Sequence, residues 1–357
     1  MRPGLTIKLV RILIVKLGSI GDIVHTLPAL AEIRREMTKA EISWVVEKRS
    51  AEVLRENPAI DRLIEIETKN LRPNGSADSL LRNLRGQVGE LRKGKYDVAI
   101  DFQGLLKSAV VAKLSGARTR WGFSGRALRE PSSRIFLTDT VRIPGHTHVI
   151  RKNLLLSRET LGYDVVDNTP EFPVHVPSSA IDEANAIIER VGPRFALLNP
   201  AGGWVTKLWD ARKFGQLADR LWNEFRISSV IVSGPNEDEL ARRAFESAKL
   251  GKVLNTKPSL KGFFELARHA TVYVGGDTGP THLAIAAGAP VVGLFGPTEW
   301  WRNGSLNPAD ICVERNDIGC RVDCHRRNCS NWICMDINVE TVFDAVRARI
   351  SAEVLVI

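Results

Sequence analysis

Short apolar runs, each followed by a longer stretch with helical spacing, recur along the 357-residue chain. That alternation restricts it to an α/β protein with parallel, doubly wound sheets covered by helices. The runs fall at residues 11–16, 41–46, 96–101, 195–199, 228–233, 270–275 and 289–295. Helices are expected over 22–36, with Pro28 as an internal irregularity, over 180–191, from Ala211 onward, and over 338–349. Residues 69–77 read as a polar, turn-rich and mobile insertion. Pro170, Pro173 and Pro177 mark residues 164–179 as the linker near the midpoint, after which the pattern restarts. The expected organisation is a first domain over 1–172, a second over 173–337, and a terminal helix within 338–357 that packs back on the first. Two such domains facing one another would form a ligand cleft at the carboxyl ends of both sheets.

An apolar content of 44% with 25% charged residues excludes a disordered chain. Lys and Arg exceed Asp and Glu by 50 to 41, and a field of that sign favours nucleic acid, anionic lipid or phosphorylated partners. The basic start is followed by an apolar run broken by Arg11 and Lys16, which does not fit a signal peptide. The least charged stretch, 283–298, carries three glycines and two prolines and is too short for a helical membrane span. A cytoplasmic protein with at most peripheral membrane contact is expected.

The segment Val274-Gly-Gly-Asp-Thr-Gly-Pro-Thr-His282 joins a strand to an apolar helix. Pro280 suits a first helical turn, where free amides and the helix dipole attract phosphate. Near the other end, the loop Gly18-Ser-Ile-Gly21 is followed by Asp22 and lacks the G-x-G-x-x-G fingerprint of dinucleotide binding. No G-x-x-x-x-G-K-[ST] loop occurs either, which disfavours P-loop phosphotransferases. A carboxylate at one glycine loop and a phosphate-binding helix start in the other half suit group transfer from a phosphate leaving group.

All five cysteines, Cys312, Cys320, Cys324, Cys329 and Cys334, follow residue 311, with His325 among them. Their spacing contains no C-x-x-C pair and fails the common zinc templates. A reduced loop near the site is the leading reading, and a structural metal, a redox role or disulfides remain open.

Residues 14–30, Ile-Val-Lys-Leu-Gly-Ser-Ile-Gly-Asp-Ile-Val-His-Thr-Leu-Pro-Ala-Leu, and residues 276–282, Gly-Asp-Thr-Gly-Pro-Thr-His, resemble the bacterial lipopolysaccharide heptosyltransferases, glycosyltransferase family 9. Further matches are Trp44-Val-Val-Glu47, Asp101-Phe-Gln-Gly-Leu-Leu-Lys-Ser108, Arg129-Glu-Pro131, Asn199-Pro-Ala-Gly-Gly203 with Lys207-Leu-Trp209, and Phe295-Gly-Pro-Thr298. The resemblance implies the GT-B architecture, an ADP-heptose donor, an inner-core lipopolysaccharide acceptor, and inversion at the anomeric carbon without a metal or cofactor. The Trp44, Lys107 and Arg129 segments are most like heptosyltransferase I, which places heptose on the Kdo of lipid A. There are two departures: Trp204 and Val205 precede Thr206 and Lys207 in the donor loop, where heptosyltransferase I members can have threonines, which leaves the side-chain phosphate contacts open, and the cysteine-rich tail is similar to the heptosyltransferase II branch, which leaves an existing heptose or another core sugar open as acceptor.

By the same resemblance Asp22 is the catalytic base, although Asp is also a common helix N-cap. Gly202, Gly203, Lys207, Glu237, Asp277, Thr278, Gly279 and His282 would bind the donor. Lys207 would neutralise the leaving diphosphate, Thr278 and Gly279 would offer amides, Asp277 would hold sugar hydroxyls, and Glu237 would hold the ribose. For Glu237 the alternative is helix capping, and for His282 a backbone-satisfied core position. Gly21, Lys107 and Arg129 would bind the acceptor, drawn from a basic stretch that includes Arg118, Arg120, Arg126 and Arg134 beside Trp121 and Phe123. No nucleic-acid-binding motif accompanies those arginines, and Kdo carboxylates and lipid A phosphates account for them through bidentate contacts. An anionic inner leaflet is the expected membrane partner. A nucleotide-sugar epimerase or hydrolase, and a non-catalytic binder of anionic ligands, are the alternative classes.

Overall fold

A computed structural model describes residues 9–67, 86–164, 169–320, 324 and 326–354, without the side chains of residues 126, 353 and 354. The expected mobile insertion at 69–77, His325 and part of the linker lie outside the described residues. The chain divides into two compact units at His175/Val176, inside the proline-rich stretch.

The first unit contains strands β1 (Arg11–Val15), β2 (Glu41–Glu47), β3 (Arg62–Ile66), β4 (Val98–Asp101), β5 (Thr119–Phe123) and β6 (Asp139–Val141), with helices α1 (Ile20–Val24), α2 (Leu27–Glu36), α3 (Leu106–Leu114) and α4 (Val149–Leu161). The strands form one parallel sheet in the order β3-β2-β1-β4-β5-β6. Strand β1 sits centrally, Ile12 to Val15 being fully buried as expected of a parallel strand covered on both faces. The helix expected over 22–36 is instead two helices broken at His25–Thr26. Proline at position 28 has no N–H and crowds the carbonyl four residues back, so the chain restarts its helix with Pro28 in the first turn. Asn153 of α4 covers the break, its Nδ2 donating to His25 O at 2.9 Å and Thr26 Oγ1 at 3.2 Å.

The second unit repeats the plan. Strands β7 (Phe195–Asn199), β8 (Ser228–Val232), β9 (Val253–Thr256), β10 (Val272–Gly276), β11 (Val291–Phe295) and β12 (Ile311–Glu314) pair in parallel in the order β12-β11-β10-β7-β8-β9. Helices α5 (Ser178–Val191), α6 (Ala211–Phe225), α7 (Asp238–Ser247), α8 (Leu260–Arg268), α9 (Gly279–Ala286), α10 (Trp300–Asn303) and α11 (Val339–Val354) accompany them. The sequence places the terminal helix back on the first domain. In the structure Val342, Phe343 and Val346 of α11 are instead buried in the second unit's core with Phe214, Leu217, Leu221 and Val292. A buried Arg349–Asp310 pair at 2.9 Å also fastens it there.

Counted within its own unit, each sheet has the strand order 3-2-1-4-5-6, whose reversal point lies between the first and fourth strands. Connections leave that point in opposite directions and open a crevice at the strands' carboxyl ends. Val15 pairs with Asp101 in one sheet and Asn199 with Gly275 in the other, so these positions mark where each unit presents its loops.

Candidate functional site

At the first unit's reversal point a charged cluster follows directly from strand ends. Lys16 comes one residue after β1 and is 3% exposed. Its Nζ donates to Phe102 O at 2.8 Å and stands 3.9 Å from Asp22 Oδ1. The loop reaches Asp22 through Gly18, whose φ of 148° favours glycine and where a Cβ would meet Ser50 Oγ at 3.0 Å. Ser19, not Asp22, is the N-cap of α1. Asp22 occupies the third helical position, and its Oδ2 accepts the Ser19 N–H at 3.3 Å. Gly21 is buried beside it in the same helix.

The Arg129 guanidinium grips the Asp22 carboxylate from the open side, at 3.1 Å to Oδ1 and 3.3 Å to Oδ2. Burial pushes the Asp22 carboxyl upward, but Lys16, Arg129 and His25 outweigh it and hold the group well below the usual carboxylate range. Behind them Asp101 is wholly buried, accepting from Gln103 N, Gly104 N and Ser108 Oγ at 2.9, 3.2 and 2.9 Å. Burial pushes its carboxyl up to about 6 despite those donors. Lys107 Nζ bonds the buried Glu47 at 2.6 Å, and Arg49 Nε bonds the same carboxylate at 2.7 Å.

The rest of the basic stretch has local work. Arg120 donates to Phe136 O and Ala117 O, Arg134 donates to Leu137 O, and Arg118 pairs with Asp97. Phe123 is buried under Lys152, whose Nζ lies 4.1 Å from the ring centre. Arg120 and Arg134 therefore brace loops, and Phe123 is buried and not offered as a stacking platform.

The second unit gathers its cluster at the equivalent place. After β7 the chain turns through Gly202, where a Cβ would meet Leu208 at 2.7 Å, and Gly203, whose φ is 72°. This turn swings Lys207 inward, where Nζ donates to Asp277 O at 3.1 Å and to Asp277 Oδ2. The ammonium also lies 3.8 Å from the centre of the Trp204 ring. Asp277 Oδ1 bonds His282 Nε2 at 3.1 Å and accepts from Asn303 Nδ2 at 2.6 Å. Burial opposes ionisation of Asp277, yet His282 and Lys207 hold its carboxyl well below the usual range. Burial likewise lowers Lys207, against the pull of Asp277.

Thr278 is the extended N-cap of α9, with Gly279 and Pro280 opening the helix as the sequence indicates. Asp277 is thus engaged by Lys207, His282 and Asn303. Glu237 is the N-cap residue of α7, and its Oε2 accepts the Gly234 N–H at 2.8 Å. Arg302 and Arg327 add positive charge around Lys207, the Arg327 guanidinium lying 5.3 Å from the Trp204 ring centre.

The structure thus brings Asp22, Gly21 and Arg129 together in one unit and Gly202, Gly203, Lys207, Asp277, Thr278, Gly279 and His282 in the other, with Lys107 and Glu237 bonded to neighbouring elements of their own units. Sequence reasoning did not assign Lys16, Asp101, Trp204, Asn303, Arg302 or Arg327. A lysine closing an otherwise apolar strand was the available signal for Lys16. Among the described residues no helix is long and apolar enough to cross a membrane.

Residues 87–332 match the family model described as Glycosyltransferase family 9 (heptosyltransferase). The chain is 28% identical to lipopolysaccharide heptosyltransferase 1 of Pseudomonas aeruginosa, across 90% of this chain and 87% of that protein. It is 27% identical to lipopolysaccharide heptosyltransferase 3 of Escherichia coli, across 80% and 84%. The solved structure of the E. coli heptosyltransferase WaaC with ADP superposes with a TM-score of 0.77 at 24% identity, covering 95% of this chain and 99% of that one. That likeness shows the GT-B fold.

Proposed function

The chain belongs to glycosyltransferase family 9, the heptosyltransferases, and from that premise we propose that it moves heptose from ADP-L-glycero-D-manno-heptose to the Kdo of the lipopolysaccharide inner core, inverting the anomeric carbon without a catalytic metal. The observation that carries the reading is Asp22, an ionised carboxylate held between Lys16 and Arg129 at the open end of β1. An inverting transfer needs one base. The acceptor hydroxyl attacks the anomeric carbon, the bond from that carbon to the ADP oxygen breaks, and Asp22 takes the hydroxyl proton.

Charge grows on the departing diphosphate as that bond breaks. Lys207, Arg302 and Arg327 together with the Thr278–Gly279 helix start supply fixed positive charge for it. Asp277 and His282 hold Lys207 in place, and Glu237 takes the ribose side of the donor. A Kdo carboxylate or lipid A phosphate engages Arg129 and Lys107 through charge-assisted hydrogen bonds. An anion that draws Arg129 toward itself removes one of the cations depressing Asp22 and makes that carboxylate a stronger base as the acceptor arrives. The excess of Lys and Arg supports a cytoplasmic enzyme working peripherally at the anionic inner leaflet.

Purified protein given ADP-heptose and Kdo-bearing lipid A should release ADP and yield a product of opposite anomeric configuration, at a rate indifferent to added magnesium. Transfer only to an already heptosylated core would keep the family and remove the Kdo assignment. That second reading, a heptosyltransferase II-like or other core enzyme, draws on the nearly equal identity to heptosyltransferases 1 and 3. Hydrolysis of ADP-heptose without any acceptor product would contradict both.

A further inference from the structure

The transfer chemistry leaves the cysteines without work. Cys312 lies on β12 with its Sγ 3.3 Å from Glu314 Oε2. The other four, Cys320, Cys324, Cys329 and Cys334, line one small, partly open cavity of about 20 Å³ together with Thr206, Pro297 and Trp332. All four are free thiols.

Four cysteines lining one small space supply the donor set of a tetrahedral thiolate site. The backbone agrees with that chemistry. Cys329 Sγ accepts the Trp332 N–H at 3.4 Å, and the Asn331 amide also points at it. Amides turned back on a sulfur orient it as a ligand. Cys334 is buried, with its sulfur packed against Gly296, where a Cβ would lie only 3.2 Å from it.

We propose that Cys320, Cys324, Cys329 and Cys334 bind one thiophilic divalent cation of the zinc class as a structural tetrathiolate. Among the described residues no three ligating side chains are arranged to hold an ion as they stand. Binding therefore draws the sulfurs inward to metal–sulfur distances of about 2.3 Å, with release of the thiol protons.

The site braces the loop that carries Lys207. Thr206 Oγ1 donates to Arg326 O at 2.6 Å, Trp332 Nε1 donates to Thr206 O at 3.0 Å, and Arg327 covers the Trp204 ring. A cation joining the four cysteines fixes the carbonyl and indole that hold Thr206, and so the residue next to Lys207. The metal site stands apart from the transfer reaction, whereas its effect on the donor loop rests on the reading of Lys207 above.

The test is elemental analysis of the full-length protein purified under reducing conditions. About one equivalent of zinc per chain is expected, and protein stripped with an organomercurial should take up cobalt(II) with the strong visible absorption of tetrahedral thiolate coordination. Cys324→Ser and Cys329→Ser should lose the metal and raise the KM for ADP-heptose several-fold, while Cys312→Ser should keep both. Freshly reduced wild-type protein with under about 0.1 equivalent of metal and no cobalt absorption would overturn the proposal, as would native disulfides among the four cysteines. Metal content is read without turnover, so failure of the transfer assay leaves this result standing, and intact transfer by metal-free protein removes only this proposal.

Discussion

Both units put a lysine and a carboxylate at the reversal point of the same strand order, but they assign them differently. In the first, the lysine sits at the strand end and the carboxylate in the loop, where the Asp22 side chain is 15% exposed and its Arg129 partner 44%. In the second, the lysine comes from the loop and the carboxylate directly follows the end of β10, and both Lys207 and Asp277 are under 10% exposed. Topology fixes where charge collects at the carboxyl ends of the strands. The chemistry depends on which partner faces outward. An ionised carboxylate with one open side suits a base, and a buried carboxylate that anchors a cation suits an electrostatic clamp.

The largest effect that would break this contrast is on Asp22. Asp22→Asn keeps the hydrogen-bonding shape but removes the charge, and kcat should fall by about 10³- to 10⁴-fold with the fold intact by circular dichroism. Lys207→Ala should lower kcat/KM by about 10²- to 10³-fold. It should also depress the melting temperature markedly, because Asp277 keeps its charge in a buried site without the ammonium that bonds it. If Lys207→Ala melts like wild type, the buried pair is no anchor.

Arg129→Ala sharpens the comparison from the open side. Loss of the guanidinium lets the Asp22 carboxyl move back toward its ordinary value, so the acid limb of the kcat/KM profile should shift to higher pH, with a loss of about 10- to 100-fold at neutral pH. An unshifted limb would separate Arg129 from the base.

A last effect, read in stability and not in turnover, concerns Asp101. Its carboxyl is raised in the folded state from 3.8 to about 6. The folded protein thus holds a proton that the unfolded chain releases between those values. Its contribution is fully present below pH 3.8 and is lost as pH rises through 6, a span of about 3 kcal/mol. Asp101→Asn should flatten the denaturation midpoint across that window, and a slope equal to wild type would count against the assignment.

How much was legible in the sequence follows burial. The expected runs coincide with β1, β2, β4, β7, β8, β10 and β11, whose buried faces force near-continuous apolar sequence. β3, β5, β6, β9 and β12 escaped. Arg62 and Glu65 interrupt β3, Arg120 interrupts β5, and β6 spans only Asp139–Val141, so no apolar run marks them. The loop residues Asp22, Lys207 and Asp277 stand out in the sequence because glycine turns and the helix-opening Pro280 flag strand ends. Asp101, Asn303 and the Arg302–Arg327 charge do not, because their roles come from contacts between segments distant in sequence.

The measurement that tests the account most directly is ADP affinity by calorimetry beside single-turnover heptose transfer, for Asp22→Asn and Lys207→Ala in parallel. Asp22→Asn should bind ADP like wild type and lose transfer, whereas Lys207→Ala should lose ADP affinity by about tenfold or more. If Asp22→Asn weakens ADP binding as much as Lys207→Ala does, or still transfers heptose at the wild-type rate, the division between a base with one open side and a buried clamp is contradicted.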